Sequence, residues 1–192
     1  MPLNIVLIYG SVRQNRKGIR MAKWMQRKCE ERNFNVTLLD PKEQNLGLMD
    51  KMYKVYKEGE APQQLVKIHN ILEEADGFIL VSGEYNHSIP PPLSNMMDYF
   101  QQEYYFKPAA ISSYSAGTFG GVRAAVQLRS YLGELGMPTI SSILPVGKVQ
   151  DTFEEDGTLL NDSYEKRVKK FLDEFEWYAN VLKEARKNGT PF

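Results

Sequence analysis

Three polar stretches of the 192-residue chain hold the side chains with chemical capacity. The first is GSVRQNRKG at 10–18, which follows the apolar run LNIVLIY and precedes a helical pattern. Gly10 permits a tight exit from a strand, the Ser11 hydroxyl and backbone N–H groups can donate to phosphate oxygens, and the next helix would present its positive N-terminus. Arg13 and Arg16 add planar charge suited to phosphate, and Asn15 adds another donor. The G-x-x-x-x-G-K-[ST] frame and the G-x-G-x-x-G fingerprint are both absent, so one terminal phosphate fits better than a triphosphate or a pyrophosphate. Taken alone, this loop also reads as a solvated basic helix start.

The second stretch is GEYNHSIPPP at 83–92. Pro90, Pro91 and Pro92 stiffen it and suit the first positions of a helix, where a missing N–H costs little. A rigid turn rich in backbone amides suits a planar heterocycle, because N–H groups bond the edge while Tyr85 or a proline covers a face. Gly83, Glu84, Tyr85, Asn86 and Ser88 are the candidates. The competing structural readings are Asn86 or Ser88 as a plain helix cap and Glu84 as a solvated charge; His87 is read as an ordinary loop histidine. The third stretch is SAGTFGG at 115–121, with Ser115, Ala116, Gly117 and Gly120 as candidates.

The elements that must position these loops follow from hydrophobic pattern. Residues 3–9, 35–40, 77–82, 108–114 and a region near 139–146 read as strands, three of them continuously apolar or small, as a sheet covered on both faces requires. Between them, Ile19, Ala22, Met25 and Cys29 line one face of a helix, Leu65, Ile68, Ile71 and Leu72 a second, and Leu93, Met96, Met97 and Phe100 a third. A fourth helix runs from Gly121 to about Leu135 and ends at Gly136, and a last one carries its stripe from Tyr164 to Ala185. Five strands alternating with five helices predict a doubly wound parallel α/β sheet in one domain over 1–192. In such a sheet ligands bind outside the carboxyl ends of the strands, which is where the three loops fall. The 41–62 segment is longer than a usual connection and reads as a lid, a contact surface or a solvated loop, with Met49, Met52, Tyr53 and Tyr56 on one face of a short helix.

Bulk properties exclude several classes. Lys+Arg and Asp+Glu are equal at 24 each, which argues against a nucleic-acid binder or an anionic-membrane binder. No apolar run approaches the length of a membrane span, and MPLNIVLIYG lacks the basic start and length of a secretory signal. The single cysteine, Cys29, sits on a helical apolar stripe and reads as a small core residue, so a cytoplasmic protein is expected.

GSVRQNRKG at 10–18, GEYNHSIPPPLSNMMDYF at 83–100 and SYSAGTFGGVRAAVQLRSYLGELG at 113–136, in their order and spacing, together resemble the NADPH-dependent FMN reductase family, the flavodoxin-like quinone and azo-dye reductases. The resemblance covers about residues 3–146. It implies a flavodoxin-like five-stranded sheet of order 2-1-3-4-5, with helices on both faces, that binds FMN. It further implies that Ser11, Arg13 and Arg16 hold the FMN phosphate. Glu84, Tyr85 and Asn86, with Ser88 nearby, would hold the isoalloxazine edge, and Ser115, Ala116 and Gly117 would line its other side. The family often has Pro before E-Y-N and Lys before the Asn of the third helix, where this chain has Gly83 and Ser94; its frequent small hydroxyl residue late in the phosphate loop is Arg16 here, so that contact is expected to be ionic.

The implied activity is hydride transfer from NADPH or NADH to bound FMN, followed by delivery of two electrons to a quinone, free flavin, azo dye or similar acceptor. Such an enzyme needs no catalytic base, in keeping with a chain that shows no Ser-His-Asp set, no metal-ligand cluster and two histidines. The alternatives are a flavodoxin-type electron carrier and a flavin-dependent regulatory partner, although flavodoxin-type carriers tend to be acidic and this chain is neutral. A homodimer or tetramer is expected from the resemblance and from the aromatic residues Tyr99, Tyr104, Tyr105, Phe106, Phe175, Trp177 and Tyr178, with Val181 beside them, in apparent excess of what one sheet layer covers.

Overall fold

The strands assemble because their side chains alternate between two apolar layers. The computed structural model describes residues 2–192. Strands β1 (Asn4–Tyr9), β2 (Asn35–Leu39), β3 (Gly77–Ser82), β4 (Ala109–Tyr114) and β5 (Thr139–Val146) form one parallel sheet of order β2-β1-β3-β4-β5, the flavodoxin-like order. In β1, Ile5, Leu7 and Tyr9 point to one layer and Val6 and Ile8 to the other. Every residue of β3 and β4 is buried, as strands covered on both faces must be.

Helices α1 (Gly18–Glu30) and α7 (Glu165–Arg186) cover the first layer through Met21, Met25 and Cys29, and Val168, Phe171 and Phe175. The other layer is covered by α3 (Gln63–Glu73), α4 (Pro91–Asp98) and α5 (Val122–Glu134), through Leu65 and Ile68, Leu93 and Met97, and Leu128 and Leu132. Two single-turn helices, α2 (Pro41–Gln44) and α6 (Val149–Thr152), follow β2 and β5. No helix among the described residues is long and apolar enough to cross a membrane.

Two expectations change. Residues 41–62 carry α2 and a single 3-10 turn at Tyr53–Val55 rather than a helix presenting Met49, Met52, Tyr53 and Tyr56. The segment is instead strapped to its neighbours: Asn95 accepts from the Met49 N–H at 2.9 Å and donates to the Gly47 carbonyl at 2.7 Å, and the Tyr53 ring stacks on His69. These side-chain ties take the place of helical backbone bonds. The aromatic excess also shrinks, because Tyr99, Tyr104 and Phe175 are buried within the chain; Trp177 and Val181 remain exposed.

Candidate functional site

Because β1, β3 and β4 are neighbours, their carboxyl ends bring residues 10–17, 83–90 and 115–121 together at one edge. The first loop leaves β1 with the Gly10 N–H donating to the Val81 carbonyl at 3.1 Å. Ser11 is buried, and its hydroxyl lies 2.7 Å from the Tyr85 hydroxyl. The Arg13 guanidinium sits 3.9 Å from the centroid of the Tyr85 ring and makes no ion pair among the described residues. Asn15 turns the chain with a φ of 53° toward α1, whose N-cap, Lys17, makes no side-chain cap and whose first turn holds no acidic residue. Its positive end is therefore open toward the loop.

Arg16, expected to contact the phosphate, is paired within the protein. Its guanidinium forms a two-pronged ion pair with Asp40, both bonds at 2.5 Å, and donates to the Ser11 carbonyl at 2.7 Å. The pair is largely buried, with side chains 12% and 7% exposed. Asp40 ends β2 and also caps α2 by accepting from the Lys42 N–H. With three of its five N–H donors held in this fork, Arg16 braces the loop, and Arg13 is the loop's arginine without an ion pair among the described residues.

The second loop is built as a closed turn. Tyr85 and Ser88 exchange backbone hydrogen bonds at 3.1 and 2.9 Å around Asn86 and His87, whose φ values of 51° and 62° are both left-handed. Ser88 donates to the Gln127 amide oxygen at 2.7 Å, and the Gln127 amide donates to the His87 carbonyl at 2.8 Å. Glu84 is not a solvated charge: its carboxylate accepts from the Arg123 and Ala124 N–H groups at 3.0 and 3.2 Å. It thereby caps α5, whose N-cap is Gly121 with φ 72° and no side chain of its own. Neither Asn86 nor Ser88 caps α4, which is entered through its prolines.

In the third loop, Ser115 donates to the Gly117 carbonyl and accepts from the Gly120 N–H, both at 2.9 Å. The Lys148 N–H holds the Gly117 carbonyl from the β5 side at 2.8 Å. Gly120 and Gly121 serve the backbone turn rather than an open face, since both have positive φ and a Cβ on Gly121 would lie 2.7 Å from the Tyr114 carbonyl oxygen. Gly117 is the open one, with nothing within 4 Å of a Cβ there. The N–H groups of Asn86, His87, Ala116, Gly117 and Thr118 have no hydrogen-bond partner among the described residues.

Beneath the loops lie two phenols. Tyr114 donates to Tyr9 at 3.0 Å, and the rings stack with centroids 6.1 Å apart. Burial pushes the Tyr9 hydroxyl up to about 12, and burial raises Tyr114 well above its ordinary value, so both stay protonated donors at neutral pH. Gly83, at a position where the family often has proline, lies against the Tyr114 ring at 3.2 Å from a would-be Cβ. Asp40, Tyr9, Tyr114 and Gln127 thus belong to the site although the sequence reading passed them over. The one signal for Asp40 was an acid ending a strand beside a basic loop.

The donor set separates into two parts. Ser11, Arg13, Asn15 and the open end of α1 suit one phosphate; the unpartnered N–H groups of the other two loops, beside the open Gly117, suit the polar edge of a flat ring. FMN has those two parts, and the residues present fit it. A family model of the NADPH-dependent FMN reductases matches residues 3–151. The NAD(P)H-dependent FMN reductase ntnL of Nectria sp. is 34% identical over 177 residues, 83% of this chain and 84% of that one. A quinone reductase of Pseudomonas putida is 32% identical over 139 residues, covering 68% and 73% of the two chains. A solved flavoenzyme NAD(P)H:(acceptor) oxidoreductase from Paracoccus denitrificans superposes with a TM-score of 0.70 over 94% of this chain and 97% of that one, at 22% identity, a likeness of fold. With a family match that spans most of its length, the chain belongs to the NADPH-dependent FMN reductase family and is an oxidoreductase that works with FMN and a nicotinamide nucleotide.

Proposed function

We propose that the protein passes reducing equivalents from NADPH or NADH through FMN held at the three loops to a small-molecule acceptor, a quinone first among them. The observation that carries this reading is the open N-terminus of α1 beside the unpaired Arg13, with α5 already capped by Glu84. FMN, when bound, supplies the redox chemistry, taking a hydride and giving up electrons in pairs. Ser11, Arg13 and Asn15 anchor its phosphate, and Arg16 with Asp40 holds that loop in place. The N–H groups of Asn86 and His87 on one side, and of Ala116, Gly117 and Thr118 on the other, meet negative charge that develops on the ring during reduction. No side chain is required to move a proton.

The open position at Gly117 gives nicotinamide and acceptor the same approach in turn. The reading includes a homodimer, for which the exposed Phe119, Val126 and Trp177 offer apolar area, and work in the cytoplasm, where the lone buried Cys29 stays reduced. Quinones fit because a relative carries that name. The test has two arms. Mass analysis of the ligand released on denaturation, after reconstitution where needed, should give FMN; FAD or no flavin would refute the site. Steady-state rates at several NAD(P)H and quinone concentrations should give parallel double-reciprocal lines, whereas no turnover with either nucleotide would favour an electron carrier.

A further inference from the structure

Tyr85 joins the two parts of the site. Among the described residues, the hydrogen bond and the cation–π contact between the 84–88 turn and the 11–16 loop are both made by this one side chain, through Ser11 at 2.7 Å and Arg13 at 3.9 Å. The far side of the turn is fixed to α5 by Glu84, by Ser88 and by the His87 carbonyl. A push or pull on the turn from the phosphate side therefore arrives through Tyr85.

The direction of the Ser11–Tyr85 bond depends on what Ser11 is doing. A serine hydroxyl has one proton and two lone pairs. With no anion nearby, the contact itself does not fix the proton's place, since either hydroxyl of the Ser11–Tyr85 pair can be the donor. Once the proton is given to an anion, the short contact has one remaining sense: the Tyr85 phenol donates into the serine oxygen. A chain in which Tyr85 donates to Ser11 and Ser11 donates to an anion polarises along its length, strengthening each bond. Arg13 is drawn to the same anion while stacked on the same ring. An anion on the first loop thus fixes the rotamer of Tyr85, and with it the turn whose free N–H groups face the ring.

We infer that Tyr85 couples the phosphate subsite to the ring subsite, so that filling one tightens the other. This rests on the proposed FMN site and deepens it, making Tyr85 a positioning residue that discriminates FMN from the unphosphorylated flavin by more than the phosphate contacts themselves.

The experiment titrates apoprotein with riboflavin in chloride and in inorganic phosphate at matched ionic strength, following flavin fluorescence. In the wild type, phosphate should tighten riboflavin at least about fivefold, and riboflavin should tighten phosphate by the same factor, as linkage demands. Tyr85→Phe keeps the ring and removes the hydroxyl; riboflavin affinity in chloride should stay within about threefold of wild type while the phosphate effect falls to within about twofold of none. An unaltered phosphate effect in Tyr85→Phe overturns the inference, as does an equal loss of riboflavin affinity in both buffers, which would mark a plain structural role. A wild type that binds riboflavin indifferently to phosphate removes this inference alone; one that binds neither riboflavin nor FMN removes the proposed function with it.

Discussion

Replacing Arg16 with methionine separates a residue that braces the phosphate loop from one that touches the ligand. Methionine keeps most of the length and packing of the side chain but leaves Asp40 without its partner. The Asp40 side chain is 7% exposed and has one other recorded donor, the Lys42 N–H at 3.0 Å. Removing one member of a buried ion pair typically costs about 3–5 kcal/mol, because the remaining charge is left desolvated. For a domain of this size each kcal/mol lowers Tm by about 2–4 °C, so a fall of about 6–20 °C is expected by differential scanning calorimetry of the apoprotein. The variant Arg16→Met with Asp40→Asn removes both charges and should recover much of that loss, the signature of a coupled pair. FMN affinity of Arg16→Met should weaken through disorder of the loop and be partly restored in the double variant. A Tm within about 2 °C of wild type, together with an FMN loss that Asp40→Asn does not relieve, would refute the brace and return Arg16 to the phosphate.

Arg13→Ala should behave oppositely, leaving Tm nearly unchanged while weakening FMN by about 10- to 150-fold, the range of a charge-assisted hydrogen bond, as read by fluorescence titration. Glu84→Ala removes the cap of α5 and should cost about 1 kcal/mol in urea denaturation of the apoprotein, with no cap left to Gly121. Burial pushes the Lys107 ammonium down to about 8 from an ordinary 10.5, although it donates to the Leu72 and Glu73 carbonyls. Between those two values the unfolded chain binds more protons than the folded one, so wild-type stability should rise relative to Lys107→Met as pH climbs from about 8 to 10.5, by up to about 3 kcal/mol; a flat or falling difference across that window would contradict the shift.

The sheet was legible because its signals are local. LNIVLIY and GFILVS are continuous apolar runs, and the stripe from Tyr164 to Ala185 repeats at helical period, so each element declares itself within a dozen residues. The three loops were legible for the same reason, as glycine and polar residues at strand ends. What the loops do internally was not. Arg16 and Asp40 are 24 residues apart, Tyr85 and Ser11 are 74 apart, and Glu84 and Ala124 are 40 apart. Nothing in the spacing of one partner announces the other. Arg16 read as a ligand contact because a basic loop looks alike whether its charges are spent or free. The aromatic count misled similarly, since Tyr104 and Phe175 look no different in sequence when they are buried beneath neighbouring elements.

Those long-range ties give the site its polarity. Three helices, α1, α4 and α5, start at the loop edge, and each would bring a positive N-terminus to it. At α4 the donors are deleted, because Pro90, Pro91 and Pro92 occupy the first positions and have no N–H. At α5 they are consumed by the Glu84 carboxylate. Of these three, α1 alone enters with its first N–H groups neither removed by proline nor taken by an acid, and Arg13, the loop's unpaired guanidinium, stands beside it. A doubly charged phosphate is therefore best met at α1, while the loops at β3 and β4 present single amide N–H groups, with the nearby Arg123 turned toward Glu84 and Phe119. On the proposed reading, those amides are left to an uncharged ring. The orientation of a phosphate-bearing flavin follows from which helix ends are closed as much as from which is open.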